Sequence, residues 1–76
     1  MTLLNLKNKV ESLTGTIEFD YNGTHCGIDP INHSHYDVWY GDNSVTVHSI
    51  DEVMTAKLFD GKSFNDIYNN IDNLDY

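Results

Sequence analysis

The sequence has no arginine and no glutamine, one cysteine, one proline and four lysines. Each scarcity excludes something. A lone thiol, Cys26, cannot close an internal disulfide, so a disulfide-stapled secreted scaffold is ruled out. Four basic residues face 12 acidic ones, for a formal net charge of -8. Phosphate backbones are bound by releasing counterions onto Lys and Arg, so direct nucleic-acid binding and anionic-membrane binding are both disfavoured. There is no apolar run of about 18 residues, hence no expected membrane span. The stretch from Met1 to Leu13 has no positive n-region, continuous apolar h-region or cleavage site. These absences lead to the expectation of a cytoplasmic protein. A chain with much Asn, Asp, Ile and Tyr but no Arg or Gln also fits an AT-rich coding genome, bacterial or phage.

What is present suffices for a fold. At 76 residues the expectation is a single domain over residues 1–76. Such a chain buries only about 60–65% of the surface its unfolded form exposes. That leaves little room for a deep ligand pocket. Three Phe, five Tyr and one Trp supply core material that disordered acidic tails lack. The charge is unevenly placed. From Val10 to Ala56 there are eight acids and no lysine. A surface of one sign keeps small proteins apart, and it also suits a basic partner.

Periodicity orders the chain as α-β-β-β-β-α-α. Leu3, Leu6, Val10 and Leu13 recur on one helical face, with Thr2 at the N-cap and Gly15 past the end. Residues 16–21 alternate, with Ile17, Phe19 and Tyr21 on one side and Glu18 and Asp20 on the other. Asn22-Gly23 is a type I′ hairpin signal. It predicts a returning strand, residues 24–28, stopped by Asp29-Pro30. Residues 35–40 alternate again. A turn at Asp42-Asn43 would set Tyr40 opposite Val45 and Val38 opposite Val47. Ser49 and Glu52 have capping-box spacing, opening a helix that Asp60-Gly61 ends. Ser63 opens another, with Phe64, Ile67, Tyr68 and Ile71 at helical spacing. Residues 72–76 are expected to fray, with Leu74 and Tyr76 available to pack. The fold class is α+β. Two hairpins form a four-stranded antiparallel sheet, with one N-terminal and two short C-terminal helices on one face. The other face is open to water.

That open face is the candidate surface. The alternation places Glu18, Asp20, His25, Gly27, His35, Asp37, Trp39, Thr46 and His48 on it. Asp20 is expected across from His25, and Asp37 across from His48. A Trp exposed among carboxylates and imidazoles suits an interface anchor. The same Trp lying over Gly27 on a neighbouring strand would serve the sheet alone, as would cross-strand Asp–His pairs.

Other chemistry finds less support. His33, His35, His25 and Cys26 match no zinc framework. Strand alternation sends His25 and Cys26 to opposite faces. Cys26 is expected inward, as a small hydrophobe. Asp60-Gly61-Lys62-Ser63 echoes the end of a phosphate loop but lacks its first glycine and preceding strand. No metal, cofactor or catalytic residue is therefore expected. The expected function is that of a small acidic, non-enzymatic interaction domain. It would bind a protein partner, or itself, through the sheet face around Trp39. The alternative is an acidic decoy that occupies the nucleic-acid-binding groove of a basic protein.

Overall fold

The computed structural model describes residues 2–13 and 15–75. Helix α1 (Leu3–Glu11) is capped by Thr2, whose side chain accepts from the Asn5 N–H at 3.1 Å. It stops at Ser12, and Leu13 takes the left-handed position at φ +58°. The stop thus comes before Gly15, the expected terminator. Leu13 stays packed on the core, which holds it in a conformation normally left to Gly or Asn.

Five strands follow the expected alternation and then exceed it. They are β1 (Ile17–Tyr21), β2 (Thr24–Asn32), β3 (His35–Tyr40), β4 (Asn43–Val47) and β5 (Asp72–Asp75). They form one antiparallel sheet in the order β4-β3-β2-β1-β5. The β1–β2 register is the one the Asn-Gly turn dictates, with Tyr21 opposite Thr24 and Ile17 opposite Ile28. Asn22 and Gly23 both have positive φ, as a type I′ turn requires.

Four expectations are corrected. First, the sheet has five strands, because residues 72–75 pair with β1 where fraying was expected. Tyr76 lies outside the described residues. Second, β2 does not end at Asp29-Pro30. A two-residue loop makes Tyr21 and Thr24 a hydrogen-bonded pair, so Thr24, Cys26, Ile28 and Pro30 turn their backbone nitrogens toward β1. The β1–β2 pairing stops at Ile17, opposite Ile28, so Pro30 sits where no donor is asked for. On its other side Pro30 pairs with Tyr36. Third, the β3–β4 loop is Gly41-Asp42, and Val38 faces Val45. Gly41 at φ +59° fills the first loop position of a type II′ turn. The shift from the expected register is two residues, so every side chain keeps its face. Fourth, Asp60-Gly61 does not end a helix.

Helix α2 (Ile50–Thr55) is capped at Ser49, whose Oγ accepts from the Glu52 N–H at 3.1 Å. It closes at Ala56. Asp60 and Gly61, at φ +57° and +78°, instead turn a tight loop between Phe59 and Lys62, which exchange two backbone hydrogen bonds. The reciprocal capping box lies at Ser63 and Asp66, at the start of α3 (Phe64–Ile67). Backbone and hydroxyl hydrogen bonds from Ser63 hold the Asp66 carboxyl below its ordinary pKa. Only one helical turn is α; Tyr68–Asn70 tighten into a 3₁₀ turn before β5.

The helices cover one side of the sheet. Leu6 and Val10 of α1, Val53 and Met54 of α2, and Phe64 and Ile67 of α3 join the inward strand residues in one core. Phe19, Phe59 and Phe64 form its centre, with ring centroids 5.4–6.3 Å apart. Among the described residues, no helix is long and apolar enough to cross a membrane.

Candidate functional site

The uncovered face is built by strand alternation alone. β1 contributes Glu18 and Asp20, β2 contributes His25, Gly27 and Asp29, and β3 contributes His35, Asp37 and Trp39. Ser44 and Thr46 of β4 stand opposite Trp39 and Asp37.

Trp39 is paired with Gly27, and its indole lies over that glycine. A Cβ built on Gly27 would fall within the indole ring. The glycine is therefore required by the tryptophan, which remains half-buried. His25 stands beside it, ring centroids 6.2 Å apart. The His25 imidazole bridges two carboxylates, with Nε2 3.0 Å from Glu18 Oε1 and Nδ1 3.4 Å from Asp20 Oδ1. Asn73 reaches over from β5 and donates to Asp20 Oδ2 at 2.8 Å. That hydrogen bond, with smaller help from His25, holds the Asp20 carboxyl below its ordinary pKa.

Of the expected cross-strand pairs, Asp20 with His25 is in place. Asp37 with His48 is not. The two-residue change of register puts Thr46 opposite Asp37, and Thr46 Oγ1 donates to Asp37 Oδ1 at 2.7 Å. His48 follows the end of β4. Its Nδ1 lies 3.0 Å from the Ser34 carbonyl oxygen, and its ring stands edge-on to His35 at 5.2 Å. Trp39, Asp37, His25, Asp20 and Glu18 thus share the middle of the face, while His35 and His48 occupy one end.

His33 and His35 diverge. His33 Nε2 lies 3.1 Å from the Glu11 carbonyl oxygen, and His35 Nδ1 lies 3.3 Å from Asn32 Oδ1. Among the described residues, no group of three His, Cys, Asp or Glu side chains is placed to hold a metal ion. Cys26 is fully buried on the helix side, where burial pushes its thiol up to about 11. A thiol so protonated is a packing group.

Sequence reasoning missed three acids that matter here. Asp29 lies directly opposite Asp37, and its Oδ1 accepts from Thr16 Oγ1 at 3.2 Å. Asp72 and Asp75 of β5 lie opposite Asp20 and Glu18. The alternation Cys26, Ile28, Pro30 is the signal that carries β2 past Asp29, and a proline inside a strand masks it. Between Asp37, Trp39 and the β4 edge lies a shallow cleft of about 420 Å³. A second, of about 340 Å³, lies among the helices at Leu3, Leu4 and Met54.

Compared with protein-family models, with curated proteins and with solved structures, the chain matches none.

Proposed function

We propose that the chain is a small non-enzymatic interaction domain that docks a protein partner of cationic character on its open sheet face, around Trp39. One observation carries the reading: this face sets acid against acid. Asp29 opposes Asp37 and Glu18 opposes Asp75, and none of the described strands contains a lysine. Like charges placed directly opposite one another destabilise a sheet. A cationic partner would relieve that repulsion. Trp39 adds a half-buried aromatic side chain that can hold an Arg or Lys side chain on its outer face. Self-association through the same surface would bring acids onto acids, which favours a different protein over a second copy.

The acidic-decoy reading draws on the same charges but needs no Trp39. To separate the two, a partner captured with the chain as bait would be titrated at about 0.1 M and about 0.5 M salt. Docking around Trp39 should weaken only in part at high salt, because its aromatic contact is not screened, and Trp39→Ala should weaken it about tenfold or more. A decoy should lose affinity steeply with salt and tolerate that substitution. Amide shifts confined to α1 and α2 on partner binding would refute both.

A further inference from the structure

The two edges of the sheet are unequal. β5 is short, carries Asp72 and Asp75, and its pairing with β1 is broken by an irregularity around Asn73, which has φ +54°. Charge and bulges are the usual guards of a free edge. β4 has neither. Its sequence is Asn43-Ser44-Val45-Thr46-Val47, without charge or proline, and it pairs with β3 in five consecutive positions without a bulge. Because Gly41-Asp42 is a two-residue loop, Asn43, Val45 and Val47 direct their backbone groups at β3. Ser44 and Thr46 direct theirs outward, unpaired by any strand among the described residues. Val45, on the helix side, is 39% exposed at the rim of the core.

We infer that β4 is a strand-addition site for an extended segment of a partner protein, one in which cationic residues alternate with β-branched apolar ones. The inference rests on the open-face reading above and specifies how the partner docks. An added strand would hydrogen-bond to Ser44 and Thr46. Its residues opposite those two would project onto the open face, and the residues between would lie beside Val45. Ser44 and Thr46 are small and line the cleft that leads to Asp37 and Trp39. The added backbone would run about 10 Å from β3, within reach of an extended Arg side chain. Its guanidinium could pair with the Asp37 carboxylate and stack on the Trp39 indole. Apolar side chains would complete the rim at Val45. An acidic residue in a cationic position would meet Asp37 as a like charge. A second copy pairing β4 to β4 would bring two chains of net charge -8 together and supply no cation.

The test uses the ¹⁵N-labelled full chain and a synthetic peptide of about eight residues, alternating Arg and Val. A control peptide has the same residues in two blocks. The alternating peptide should slow amide exchange at Ser44 and Thr46 about tenfold or more. The block peptide should bind about tenfold more weakly, since it cannot present one chemistry to each face. Asp37→Asn should weaken the alternating peptide about fivefold. Thr46→Pro removes an outward N–H that β3 does not use, and should abolish protection while leaving the melt of the free chain cooperative. Equal binding of both peptides means plain charge attraction and overturns the inference. So does protection at β5 in place of β4, or peptide-independent protection with a doubled mass in light scattering. If a captured partner shifts open-face amides but leaves Ser44 and Thr46 unprotected, the face reading stands and the edge reading falls. If neither region responds, both fall.

Discussion

On the helix-covered face of the sheet, cross-strand neighbours suit one another: Phe19 sits opposite Cys26, Ile28 opposite Val38 and Tyr36 opposite Val47. On the open face one central pair conflicts, with Asp29 opposite Asp37. The same strands and hydrogen-bond ladders carry both arrangements. The difference lies in what each face is selected to meet. The first meets its own helices, so its residues are chosen for packing. The second meets water or another molecule, and its residues are polar and charged, with Asp29 facing Asp37.

Substitutions can break or sharpen that contrast. The largest effect belongs to the covered face. Phe59→Ala removes a fully buried ring from the Phe19–Phe59–Phe64 cluster and should cost about 3–5 kcal/mol in a urea melt. A loss below about 1 kcal/mol would mean that this face is not close-packed. Next comes the indole–glycine contact of the open face. Gly27→Val raises strand propensity yet drives a side chain into the Trp39 indole. It should destabilise by about 1–3 kcal/mol and red-shift tryptophan emission. Unchanged emission would place the indole elsewhere. Ser49→Ala, which uncaps a helix of the covering layer, should cost about 1 kcal/mol. No shift in the denaturation midpoint would show that this cap contributes nothing. The smallest effect has the opposite sign. Asp29→Asn keeps an acceptor for Thr16 and removes one of two facing charges, so it should stabilise by about 0.2–1 kcal/mol. The gain should fade in high salt. A loss of stability there would remove the case for a face at odds with itself.

The sequence showed the faces better than it showed the boundaries. Ile17, Phe19 and Tyr21 alternate with Glu18 and Asp20, and burial follows that period, so β1 and its register with β2 were legible from local pattern and turn chemistry. The same alternation put Gly27 and Trp39 on one face, but it left their contact as one of two alternatives for the tryptophan, and the β2–β3 register comes from the structure. The β3–β4 register was not settled, because Gly41-Asp42 and Asp42-Asn43 are both acceptable loops. Even so, a two-residue shift leaves the faces intact, and only the Asp37–His48 pair was lost. Asp60-Gly61 carries a hairpin dipeptide as readily as a helix stop, and its neighbours are too short a segment to decide. β5 had no local signal: Asp72-Asn73-Leu74-Asp75 has one apolar residue, and its strand character comes from the free side of β1. With β5 unseen, the acids opposite Asp20 and Glu18 went unseen too.

The position of β5 also bears on the order in which the molecule assembles. β1, β2, β3 and β4 are joined through three two-residue loops, so their pairings are local and form quickly. Glu18 and Asp75 are brought together only after more than half of the chain has been looped out between them. Closing so long a loop carries an entropic penalty that local hairpins avoid. The four-strand meander should therefore form early, with β5 docking on it in a later step. In that interval β1 is itself a free edge, with its outer backbone groups open to water. Mutations in β5 should speed unfolding while leaving the folding rate nearly unchanged.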